Sequence, residues 1–239
     1  MTDITSRRAL VPPASGLLLA ALLGAAVFAQ DGERKNAVDL QGRLYRSVFS
    51  SGVGVLSAAD LEKVPEPLRS RLSKYLSRRA TFKSQYKNEP DDLKKVRSDA
   101  KKRVLERAIV ALIDVPGIEK EAAEFVTAAP IAPEWEGMHD GPLAEAAFAE
   151  NILKKNPSSA LAPWFYVFIA ERQRIAFEAY ENEKNVEGMK AAAKKYRAFV
   201  ERGRAAEDPI YAAVIEDMER LPYLYIKSSN HPRDYDPDS

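Results

Sequence analysis

The sequence predicts an all-α protein. Apolar residues recur at spacings of three and four through nearly all of residues 30–239, and strand-like alternation is scarce. Prolines, glycines and the Asn-Pro and Asp-Pro pairs at 156–157 and 208–209 fall between these periodic runs, where they end one helix and open the next.

The first 29 residues stand apart from the rest. Arg7 and Arg8 precede an uninterrupted apolar run from Leu17 to Ala29, after which Gln30, Asp31 and Glu33 turn polar. Basic, apolar and small-residue segments in that order form a secretory signal peptide, with Val27 and Ala29 small enough for cleavage after Ala29. An uncleaved anchor is the competing reading. A span needs about 20 apolar residues, and Pro12, Pro13 and Ser15 shorten this run. Ser6-Arg7-Arg8-Ala9-Leu10-Val11 also resembles a twin-arginine export signal, beside the ordinary Sec route. The expectation is therefore an exported protein, periplasmic or extracellular, with no stable membrane anchor after cleavage.

Composition narrows the chemistry. The chain has no cysteine, which excludes disulfides, thiolate nucleophiles and thiolate zinc sites. Removing residues 1–29 takes two arginines and one aspartate from totals of 36 basic and 35 acidic residues, leaving 34 of each. A globally basic nucleic-acid or membrane binder is not indicated. The charges are nonetheless unevenly placed. Glu62 to Arg107 holds 15 Lys and Arg against 7 Asp and Glu, and Gly117 to Asn151 holds one Lys against 8 acids. Two solvated helical faces that pair with each other account for this pattern.

In the N-terminal helical region, residues 30–128, Ser57 and Asp60 have the spacing of a capping box for a short helix that ends before Pro65. Residues 67–86 place Leu68, Leu72, Tyr75, Leu76 and Phe82 on one stripe. Residues 91–113 place Ala100, Val104 and Ala108 on one face, so the two runs predict an αα-hairpin. Helical periodicity lapses over residues 129–141, an irregular linker loop rich in proline and glycine. It resumes in the C-terminal helical region, 142–226. There LAPWFYVFIA is apolar nearly all round, which predicts a central, buried helix with Trp164, Phe165, Tyr166 and Phe168 in the core. Residues 227–239 have few apolar side chains and read as a flexible tail.

The Pro-terminated rhythm of these helices resembles tetratricopeptide-type repeats. Bulky Tyr166 and Val167 stand where that family's pattern has a small residue. The fold expected is antiparallel helical hairpins, with a TPR-like or solenoid-like helix stack as its particular form.

Val115, Pro116, Gly117, Ile118 and Ala122 resemble the turn of helix-hairpin-helix DNA-binding modules. Glu119 departs from the pattern, because the family has a glycine there that lets backbone amides reach a phosphate. Glu121 and Glu124 add two more carboxylates, and Lys120 alone favours an anion. The stretch reads as the turn of an ordinary helical hairpin. SGVGV, residues 51–55, lacks the lysine and length of a phosphate loop and also reads as a turn.

His139 and His231 are the only histidines. His139 sits beside Asp140, with Glu134 and Glu136 nearby, and these four residues are the candidate metal or acid–base cluster. Arg172 and Arg174 follow the aromatic run and are the candidate partner-binding residues, because Arg-bearing aromatic surfaces recur in binding hot spots. No catalytic constellation and no cofactor motif is present. The reading is an exported, non-catalytic helical protein that binds a protein or peptide partner in the cell envelope. Its alternatives are a small metal-dependent or hydrolase-like envelope enzyme using the 134–140 loop, and DNA binding through the degenerate hairpin at 115–122. The first reading predicts that the protein does not shift short duplex DNA in a low-salt gel assay. A salt-dependent shift abolished by Lys120→Ala would contradict it.

Overall fold

A computed structural model describes residues 42–49, 56–85, 98–111, 115 and 117–235. Among these residues the chain is helical and contains no strand. The helices are α1 (Arg43–Val48), α2 (Ala58–Glu62), α3 (Leu68–Gln85), α4 (Asp99–Ala111), α5 (Ile118–Ala128), α6 (Asp140–Lys155), α7 (Ala162–Glu183), α8 (Val186–Ala205) and α9 (Pro209–Arg220). None of them is long and apolar enough to cross a membrane. Ala29, with the whole 1–29 segment, the 51–55 turn and Pro116 lie outside the described residues.

Local chemistry sets the helix ends. Ser57 and Asp60 form the capping box: Ser57 Oγ accepts from the Asp60 amide at 3.1 Å, and Asp60 Oδ2 accepts from the Ser57 amide at 3.0 Å. Gly117 takes the left-handed conformation, φ 76°, at the start of α5, which a side chain would resist. Asn185 and Asp208 cap α8 and α9 by accepting the amides of Gly188 and Ile210. Asp140 does not cap α6. His139 holds the cap position, and Asp140 occupies the first turn, where the helix dipole favours a carboxylate.

Sequence neighbours pack on one another: α3 on α4, α4 on α5, α6 on α7 and α7 on α8. Helix α9 breaks that order, since it touches α8 and α7 and also returns to α1 and α3. One apolar core consequently contains Leu72 and Tyr75 of α3, Phe125 of α5, Trp164 of α7 and Tyr211 of α9. Residues from both the 30–128 and 142–226 regions share it. The α8–α9 approach is close at Gly203, where an added Cβ would lie 2.5 Å from Ile215 Cδ1.

The expected central helix is α7. Its residues from Ala162 to Ala179 are almost all buried. Trp164 stacks on Phe168 at 4.8 Å between ring centroids and on Phe49 at 6.2 Å, and Phe125 meets Phe165 edge-on at 4.8 Å. Such pairs add about 0.5–1.5 kcal/mol each beyond the area they bury. Tyr166 lies at the margin, against Phe199. The two runs expected to pair, α3 and α4, pack on each other, with Leu72, Tyr75, Val104, Leu105 and Ala108 buried.

Helix α1 is only 6 residues long, too short to persist alone. Asp217 of α9 holds it, accepting the Gly42 amide at 2.7 Å and the Tyr45 amide at 2.8 Å, one on each carboxylate oxygen. An N-terminal cap is thus supplied by a side chain from the far end of the chain.

Burial holds the Asp217 carboxyl above the usual Asp value, outweighing the two amide bonds that favour its charge. The folded state therefore binds this proton more tightly than the unfolded chain does. The resulting stability is greatest below the unfolded value near pH 4 and is lost as pH rises through the raised folded value. Asp217→Ala should cost about 1–2 kcal/mol through loss of the cap. Asp217→Asn removes the titration, so the stability difference between wild type and this variant should shrink as pH rises above the unfolded value of about 4. Urea unfolding across that range checks it, and a difference that grows with pH would contradict it.

Candidate functional site

The two candidate partner-binding arginines are inside the protein. Arg172 is 5% exposed and Arg174 is 1% exposed. A helix buried on several sides cannot turn its charged residues to water, so each must find its partners within the fold.

Arg172 sits between two carboxylates. Its Nε donates to Glu145 Oε2 at 2.8 Å, and its Nη1 donates to Glu171. Glu145 also accepts from Trp135 Nε1 at 3.0 Å and from the Ala132 amide at 3.3 Å, and Glu171 accepts from the Tyr45 hydroxyl at 2.6 Å. The guanidinium lies 4.3 Å from the Phe168 ring centroid and 4.9 Å from that of Trp135. Burial pushes the Arg172 pKa down, but Glu171 and Glu145 outweigh it and leave the pKa raised, so the group stays charged. Burial, followed by the Glu171 charge, pushes the Tyr45 hydroxyl well above its usual value. Tyr45 is therefore a neutral donor and not an acid–base group near neutral pH.

Arg174 donates to the carbonyls of Met218 and Leu221 at the end of α9 and lies 3.4 Å from Glu178. Glu178 accepts the backbone amides of Leu224, Tyr225 and Ile226 at 2.7, 2.7 and 3.1 Å. The pair ties the loop after α9 to the central helix.

The gap beside this network, lined by Phe49, Val104, Arg107, Trp164, Phe168, Glu171 and Arg172, has no room for a water-sized sphere. Arg107, lowered to about 10 by burial, fills its edge and donates to the Phe49 carbonyl.

The 134–140 loop does not converge on a metal. His139 Nδ1 lies 2.8 Å from Glu183 and its Nε2 lies 3.2 Å from Asp140, while its ring stacks on Tyr180 at 4.1 Å. Glu134 and Glu136 are exposed. Among the described residues, no group of three or more His, Asp or Glu side chains is placed to hold a metal ion. His231 is half-buried and pushed down to about 3 by burial and by Arg174 and Arg233, so it is a neutral ring.

Two of the three hairpin carboxylates are engaged within the protein, and Glu124 is exposed. Glu119 pairs with Arg78 of α3, which joins the basic and acidic segments, and Glu121 accepts from Ser159. The segment read as a flexible tail is tied down as far as Tyr235. Glu181 accepts from Ser228, Ser229 and Asn230, and Arg197 donates to the carbonyls of Pro232 and Tyr235. Its polarity suggested mobility, but its polar groups and backbone meet side chains of α7 and α8.

The large apolar side chains exposed among the described residues are Met138, Val186, Tyr223 and Tyr225, at 37–51%. All four belong to segments that meet at the C-terminal end of α7. Met138 precedes His139, which rests on Tyr180 and Glu183. Val186 opens α8 directly after the α7–α8 turn. Tyr223 and Tyr225 lie in the loop that Glu178 holds, and Tyr225 packs edge-on against Trp135 at 5.3 Å. Sequence reasoning missed this surface because its residues come from three loops. Its only local signal was the pair of tyrosines in the Pro222–Ile226 stretch.

No protein-family model matches the chain, and no curated protein or solved structure matches it. The class defined by fold and site is an all-α protein in which, among the described residues, the charges of the central helix are partnered within the fold and the exposed large apolar side chains gather at one end.

Glu178 is the handle on that end. Glu178→Ala should accelerate hydrogen exchange at Leu224, Tyr225 and Ile226 and lower stability by about 1–3 kcal/mol, because three part-buried amides lose their acceptor and Arg174 loses its counter-charge. Unchanged exchange at these amides would contradict the tether.

Proposed function

We propose that this is an exported, non-catalytic helical protein that binds a protein or peptide partner in the cell envelope through the α7 end surface. The observation that carries the proposal is the gathering at one end of Met138, Val186, Tyr223 and Tyr225, the large apolar side chains exposed among the described residues. Clustered apolar exposure with a polar rim is the usual mark of an interaction site. Export rests on the order of charges and apolar residues in positions 1–29. The solenoid-like form of the fold draws support from the in-sequence packing of α6, α7 and α8, and helix stacks of this kind offer broad faces and ends to partners.

Buried charges supply a further argument. Arg172, Arg174, Glu145, Glu171 and Glu178 are each hydrogen-bonded within the fold, so none is held in reserve for a substrate. Affinity capture from a native envelope extract, with nuclease present, should recover a stoichiometric protein with the wild-type chain and lose it with a Met138→Asp/Tyr225→Asp variant. Equal recovery by both would place the partner site elsewhere.

A further inference from the structure

The end surface carries charge as well as apolar area. Glu134, Glu136, Asp140 and Glu187 border Met138 and Val186, and the side chains of Asp140 and Glu187 are 83% and 87% exposed. Lys184 and Lys227 are the exposed cations in the same segments, and Lys190 stands 3.8 Å from Glu187. Carboxylates outnumber cations around the patch. Tyr223 and Tyr225 add exposed ring faces, which also favour cations.

We infer that this surface docks a cationic amphipathic segment of another protein, with spaced apolar side chains set against Met138, Val186 and Tyr225 and lysines or arginines set against the acidic border. The inference rests on the partner-binding reading above and adds the chemistry of the partner. Apolar contact supplies affinity there, and the border charges select the sign and speed the encounter. An anionic membrane surface is disfavoured by the same carboxylates. The chain's own basic segment is a poor occupant, because Arg71, Arg78 and Arg79 already pair with Asp208, Glu119 and Glu106.

The test titrates the full chain with three labelled peptides of about 15 residues, long enough to form a helix on binding. One carries lysines and leucines at helical spacing, the second replaces its lysines with glutamates, and the third replaces its leucines with serines. The lysine–leucine peptide should bind at least about tenfold tighter than either of the others. It should weaken by about tenfold on Glu134→Lys/Glu187→Lys, whose far-ultraviolet circular dichroism stays that of wild type. Three results would overturn the inference: equal binding of the glutamate peptide, equal binding of the serine peptide, or no binding by any. If none binds while capture of a partner still depends on Met138 and Tyr225, the partner chemistry fails and the docking surface stands. If capture does not depend on those residues, the surface itself fails. Sedimentation showing dimers that the same Glu134→Lys/Glu187→Lys change dissolves would also overturn it, in favour of a second copy.

Discussion

The constraint on which the rest depends is that α7 is buried on nearly all sides while carrying Glu171, Arg172, Arg174 and Glu178 from its middle onward. Ionised groups removed from water cost several kcal/mol each unless they are paired and hydrogen-bonded. The fold answers by bringing a partner to each from distant parts of the chain. Glu145 comes from α6, Tyr45 from α1, and the backbone of 218–226 from the end of α9. These partners are what fix the neighbours of α7 in register. The aromatic half of the same helix, from Trp164 to Phe168, supplies apolar area without direction, and the charged half supplies direction.

The same device recurs at the edges. Asp217 reaches from α9 to cap α1, and Glu181 gathers Ser228, Ser229 and Asn230. In each case a side chain on a well-packed helix replaces the local structure that a short or irregular segment lacks. The consequence for function is a division of labour. Carboxylates on packed helices hold the segment ends, and the exposed apolar residues among those described sit at one of them. The loop that Glu178 tethers is also the loop that presents Tyr225.

The sequence made the local parts of this legible. The Ser57–Asp60 capping box, the α3–α4 packing, the break at 129–141 and the central position of α7 all follow from spacings within a few residues. The interior placement of Arg172 and Arg174, the candidate partner-binding residues, was not legible for the opposite reason. Their partners lie 27 residues away at Glu145 and 44 residues away at Met218, and no periodicity reports such pairs. A signal was nonetheless present, since a charge within an all-round apolar helix is either paired or absent. In the 227–239 segment few apolar side chains suggested mobility, while the carboxylate that bonds residues 228–230 stands on α7, where local sequence does not report it. The end surface was illegible because three separate loops compose it.

The central claim is that Glu145, Arg172 and Glu171 act as one structural unit. A double-mutant cycle on Glu145→Gln and Arg172→Met, read by urea unfolding at neutral pH, tests it most directly. The account predicts a coupling between the two of about 0.5–3 kcal/mol, with the double variant less destabilised than the sum of the singles. Additive effects within about 0.5 kcal/mol would contradict it and would mean that the two residues contribute to the fold independently.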